Sequence, residues 1–183
     1  MRENEFWKVC EALDNDLRIA LLKYLTEIEQ TEFPCVNDLA ERFRVSSAAM
    51  SVHLKKLAQS GLVSSQQADR RAYYRAFATT STGRTVMDAM RKCFATLPDA
   101  ERLRNFREYA HALSHRRRNA IVRYLHAKPG TAVSEIARHT EIPLQTVDRL
   151  WGLLNKAHII DLTGSVIPPS TEPELTLLQL TLI

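Results

Sequence analysis

The chain has 183 residues, of which 45% are hydrophobic and 25% charged, with only five glycines and seven prolines; such a composition supplies packed cores and excludes a disordered or fibrous protein. That length makes one or two domains. A net charge of +4 is too small to announce nucleic acid by itself. The longest apolar run, LTLLQLTLI, is about half of the roughly 20 residues a membrane helix needs, and MRENEFWK lacks the apolar core of an export signal, so a cytoplasmic protein without a membrane partner is the expectation.

In chain order, Phe6, Val9, Cys10 and Leu13 form one helical stripe, and Leu17, Leu21, Tyr24, Leu25 and Ile28 a second. A short third helix from Val36 to Phe43 buries Leu39, Ala40 and Phe43, and Arg44, Val45 and Ser46 make a tight connection to the fourth. That fourth helix starts near Ser47, with Ser46 or Ser47 as N-cap, and stops before Gly61, a natural residue just past a helix end. Met50, Leu54 and Leu57 face inward on it, while Ala48, Ser51, Val52 and Lys55, short or cationic, face outward. The following LVSSQQADRRAYYRAF reads as a β-hairpin turning around Ala68, Asp69 and Arg70, although the turn lacks an Asn-Gly or Asp-Gly pair. A fifth helix, Ser81 to Phe94, places Val86, Met90 and Phe94 on one face. Pro98 marks a boundary, giving expected domains at residues 1–97 and 98–183.

Charge is distributed unevenly along these elements. Residues 1–41 carry four cations against ten carboxylates, whereas residues 42–75 carry seven cations against Asp69 alone, a stretch on which a phosphate backbone can dock. The three cysteines, Cys10, Cys35 and Cys93, have no CxxC spacing and read as small core residues.

The second half repeats the first. FWKVCEALDNDLRIALLKYL from Phe6 aligns with FREYAHALSHRRRNAIVRYL from Phe106 at an offset of 100, and the stretch from Val36 aligns with that from Val133 at an offset of 97. The three-residue difference falls in the connection between matched helices, where a duplicated domain tolerates it. The second copy's counterpart of the fourth helix, Leu144 to Lys156, is expected to pack Leu144, Val147, Leu150, Trp151 and Leu154 and to show Gln145, Asp148, Arg149 and Gly152.

Short helix, tight turn, capped helix and a hairpin with cations at its tip is the plan of a winged helix-turn-helix. The expected fold class is thus mainly α with small β-hairpins, as two tandem winged helix-turn-helix domains. SSAAMSVHLKKLAQSGLV followed by DRRAYYRAF resembles the recognition helix and wing of ArsR-type bacterial repressors, over about residues 6–95. Asp69 stands where that family often has Gly. The resemblance implies double-stranded DNA as partner, with Ser47, Ala48, Ser51, His53, Lys55 and Lys56 on the recognition helix and Arg70 and Arg71 at the wing tip as contact residues. Ser47 has a capping role and His53 a buried one as the alternatives, and Tyr73 and Tyr74 read as packing for the sheet.

Family members that sense metals use a Cys-Val-Cys-Asp-Leu run; here it reads Cys35, Val36, Asn37, Asp38, Leu39, and one thiol does not make that site, so no metal or other cofactor is expected. The second copy replaces Ser51 with Asp148 and Lys55 with Gly152, and its presumed wing from Ile159 onward carries no Lys or Arg, so it is not expected to read DNA in the same way. Its cations cluster instead at His115, Arg116, Arg117 and Arg118, as a backbone contact or a solvated helix end. ArsR-like proteins dimerise through their first and last helices; a fused pair either satisfies that interface internally, as a pseudo-dimer, or keeps a copy for homodimerisation. Alternating Leu178, Leu180 and Leu182 read as an edge strand. The functional expectation is a transcriptional regulator, a repressor, rather than an enzyme, since no catalytic spacing occurs; a protein-docking module or a replication or partition factor are the alternatives.

Overall fold

A computed structural model describes residues 6–28, 33–96 and 100–167. The elements are α1 (Trp7–Leu13), α2 (Asp16–Glu27), α3 (Val36–Arg42), α4 (Ser47–Gln59), β1 (Ser64–Ala68), β2 (Arg71–Arg75), α5 (Ser81–Thr96), α6 (Ala100–Leu113), α7 (Arg116–Ala127), α8 (Val133–Thr140) and α9 (Leu144–Lys156). Among the described residues the fold is mainly α with one small antiparallel hairpin. It divides into two compact units, Asn15–Pro98 and a second made of Met1–Asp14 with Asp99–Ile183.

In the Asn15–Pro98 unit, local signals set each helix end. The Asn15 side chain accepts from the Arg18 N–H (3.1 Å) and caps α2, and the Asp38 carboxylate accepts from the Cys35 N–H (2.8 Å) at the start of α3. Ser46 Oγ accepts from the Ala49 N–H (3.2 Å), so Ser46 rather than Ser47 caps α4. At the other end of α4, Gly61 takes φ +76°; the Gly61 N–H bonds the Ala58 carbonyl and the Leu62 N–H the Leu57 carbonyl, satisfying two end carbonyls at once. The turn from α3 to α4 uses the same device with a non-glycine residue, Arg44 at φ +54°, and its extra strain fits a connection that has to be this short.

The hairpin runs in register from Ser64 opposite Arg75 to Ala68 opposite Arg71. The outer edge of β2 is partly closed by the segment before α3, through the Tyr74 N–H to the Pro34 carbonyl (3.0 Å) and a bridge from Cys35 to Tyr73. The core consists of Leu21, Leu22, Leu39, Met50, Leu54, Leu57, Leu62, Met87 and Met90, each at most 1% exposed. Phe43, expected to be buried with them, is half-buried and meets Tyr24 edge-on at 5.9 Å. Cys10 and Cys35 are buried free thiols, as expected of core cysteines; nothing is described of the Cys93 side chain.

In the other unit, Val9, Cys10, Ala12 and Leu13 of α1 are buried, as are their repeat counterparts Tyr109, Ala110, Ala112 and Leu113 of α6, and the two helices pack together. Asp14 and His111 tie them with a 2.7 Å contact between Oδ2 and Nδ1. The left-handed positions Arg44 and Gly61 recur 97 residues later as Glu141 (φ +56°) and His158 (φ +54°). The Ile159 N–H bonds the Leu154 carbonyl there, as the Leu62 N–H bonds that of Leu57. One expectation fails: Leu144, taken as packed, is 49% exposed. It is the first residue of α9, before the helix turns its apolar side inward at Val147, and no cap draws it in. After α9 the chain makes a single bridge, Ile160 to Val166, around a turn in which Asp161 Oδ1 accepts from the Thr163 and Ser165 N–H groups (both 2.8 Å). The alternating Leu178, Leu180 and Leu182 lie outside the described residues.

Candidate nucleic-acid interface

Helix α4 has two sides of opposite chemistry. Met50, Leu54 and Leu57 are fully buried, so the residues offset from them by half a helical turn are forced outward. Ser47, Ala48, Ser51, Val52 and Lys55 are all exposed, Val52 at 59%. The strip is short-chained at its N-terminal end and cationic at Lys55, so a duplex edge can approach the helix backbone closely there. Ser47 Oγ also donates to Asn37 Oδ1 (2.8 Å), which joins the first turn of α4 to α3.

His53 and Lys56 do not share that strip; both are half-buried on its flank. His53 Nδ1 is buried without a hydrogen-bond partner. Burial holds the imidazole below its ordinary pKa, and the charges of Arg18 and Lys56 push the same way. At neutral pH the ring is therefore neutral, with its unsatisfied nitrogen turned toward the protein. Of the six candidates on α4, the structure brings Ser47, Ala48, Ser51 and Lys55 together on the exposed face.

The wing turns through two residues, Asp69 (φ +49°) and Arg70 (φ +65°), between the paired Ala68 and Arg71. Two successive left-handed residues make the mirror-image turn whose twist matches that of paired strands, normally built from Asn-Gly or Asp-Gly. The chain forms it with Asp-Arg, which explains the missing sequence signal. Arg70 and Arg71 are both exposed at this tip. Arg71 also reaches the field of Asp38, whose carboxyl is held low first by the Cys35 N–H and more weakly by this guanidinium. Tyr73 and Tyr74 are half-buried, and burial raises the Tyr74 hydroxyl pKa, in keeping with a packing role.

At the base of the hairpin, Arg75 donates from Nε to Ser64 Oγ (3.1 Å) and stacks near the exposed rings of Phe77 (4.7 Å) and Phe33 (5.9 Å). No sequence pattern announces this arrangement, because it joins three segments that meet only through strand register.

On α9, Gln145, Asp148, Arg149 and Gly152 are exposed, as the repeat alignment implies. Among the described residues there is no group of three or more His, Cys, Asp or Glu placed to hold a metal ion, and no helix is long and apolar enough to cross a membrane.

Comparison with known proteins agrees with this geometry in one segment. No curated protein and no solved structure matched the chain. Residues 15–65 match the family model of bacterial regulatory proteins of the ArsR family. The match begins at the residue where the Asn15–Pro98 unit begins, and it covers α2, the α3–turn–α4 pair and the entry to the hairpin. With the wing observed directly after it, the first domain is an ArsR-like winged helix-turn-helix.

Proposed function

We propose that the protein is a cytoplasmic transcriptional regulator, a repressor, that binds promoter DNA through α4 and the wing of its first domain. The observation that carries this reading is the exposed strip Ser47, Ala48, Ser51 and Lys55 within the same unit as the exposed wing-tip pair Arg70 and Arg71. Small hydroxyl-bearing and cationic side chains on a helix suit a major groove, and a guanidinium pair at a hairpin tip suits phosphate. His53 and Lys56 act from the flank, His53 by keeping α4 seated on α2.

The region 98–183 is a diverged second winged-helix copy. The apolar side of α1 is already covered by α6 within the same chain, which favours an intramolecular pseudo-dimer over homodimerisation through that helix.

The test is a titration of the purified chain against duplex DNA from upstream of its own gene, with a scrambled duplex as control, at two salt concentrations. Tighter, salt-dependent binding to the native fragment is expected. Negligible affinity for both duplexes would overturn the reading and move the weight to protein docking.

A further inference from the structure

We infer that the second unit carries its own sequence-independent docking surface for duplex DNA, formed by the start of α7 and the outward face of α9, with Arg117 and Arg149 as its phosphate contacts. The inference takes only its ligand class from the reading above; its residues are separate.

His115, Arg116 and Arg117 are exposed at the head of α7, and Arg149 is exposed on α9, a helix that packs against α7. These positions come together in space: after burial, the charges that depress the His115 imidazole are those of Arg118, Arg117 and Arg149, with Glu11 opposing them. Asp148 is the carboxylate adjoining Arg149 in the chain.

The placement is unfavourable for the fold. The N-terminal end of a helix carries partial positive charge, so cations in the first turn of α7 oppose the helix dipole instead of complementing it. The matching helix of the first unit forms without cations at the positions of Arg116 and Arg117. In the first unit the corresponding positions are Asn15, Asp16 and Leu17, and the counterpart of Arg149 is Val52, yet α2 forms with an ordinary Asn15 cap and an acidic first turn. Arg118, by contrast, is buried and bonded through Nη2 to Ser114 Oγ (2.9 Å), a structural role. Exposed guanidiniums that work against the helix they sit on, joined by one from the neighbouring helix, are explained by an anionic partner. A duplex backbone supplies a continuous row of negative charge to such a cluster. Both guanidiniums are assigned to phosphate, which carries no sequence information, so the contact is blind to sequence.

The experiment uses the full-length chain and four forms: wild type, Arg117→Gln/Arg149→Gln, the wing variant Arg70→Ala/Arg71→Ala, and the quadruple combination. Each is titrated against a native and a scrambled duplex over a salt series. Neutralising Arg117 and Arg149 is expected to lower the slope of log affinity against log salt by about 0.9 per lost contact, to weaken both duplexes by the same factor, and to leave the melting temperature unchanged or raised. The wing variant retains residual salt-dependent binding that the quadruple variant loses. An unchanged slope in Arg117→Gln/Arg149→Gln, with wild-type binding intact, overturns this inference and leaves the first-domain reading standing. A loss confined to the native duplex also overturns it, because the contact would then read bases. A lowered melting temperature with unchanged slope would assign the two arginines to folding and equally reject it. No binding by wild type removes both.

Discussion

The wing tip allows strain and charge to be separated at a single residue. Arg70 sits at φ +65°, a conformation that costs a side-chain-bearing residue about 1–2 kcal/mol. Glycine adopts it freely but loses more chain entropy on folding, about 0.5–1 kcal/mol. Arg70→Gly is therefore expected to stabilise the first unit by about 0.5–1 kcal/mol, which for a domain of this size raises the melting temperature by roughly 2–8 °C. Arg70→Ala keeps the left-handed strain and gains nothing. Both variants lose the same cation, so both should lower the salt slope of DNA binding by about 0.9. The assays are thermal unfolding followed by circular dichroism and fluorescence anisotropy over a salt series. Equal melting temperatures for the Gly and Ala variants would refute the two-residue left-handed turn. An unchanged salt slope in both would refute the contact between the tip and the backbone, whatever the stabilities.

Further outcomes follow from the same unit. Gly83→Ala places a Cβ 2.5 Å from the Gly61 carbonyl oxygen, a backbone atom that has no easy way to yield, so a loss of about 1–3 kcal/mol is expected in denaturant unfolding. Ser46→Ala removes the α4 cap and should lower stability by about 1 kcal/mol, while Ser47→Ala, which leaves the cap in place, should change it less. The folded-state pKa of His53 lies below its ordinary value, so the unfolded chain takes up the proton first as pH falls. The stability linked to His53 is complete above about pH 6.5 and is lost as pH drops from there through the folded-state value. His53→Gln should flatten that part of a urea-unfolding profile between pH 7.5 and 5.5; an identical pH dependence in the variant would show that the ring is already solvated in the native state.

Much of the first domain is written locally. The inward set Met50, Leu54 and Leu57, the cap at Ser46 and the stop at Gly61 are nearest-neighbour features, and they bound α4 in the structure as they do in the sequence. The outward strip follows from the same periodicity, so Ser47, Ala48, Ser51 and Lys55 were legible as candidates. His53 and Lys56 were less so, because position on a helix flank is decided by what packs beside it, here α2 with Arg18. The hairpin was legible from its alternating runs, but its turn was not, since Asp-Arg adopts left-handed angles only because the strands on both sides hold it there.

By itself the sequence determined the helical and hairpin elements, the internal repeat and the basic stretch, because each depends on periodicity, capping or composition over a few neighbouring residues. The tertiary structure decided what lies far apart in the chain. Helix α1 packs on α6, nearly a hundred residues away; Arg75, beside the neighbouring ring of Phe77, is also met by Ser64 and by the ring of Phe33 from two separate segments; Leu144 stays exposed although its pattern reads as core. Local rules fix where an apolar face lies, but which partner covers it depends on competition among all the apolar faces of the chain.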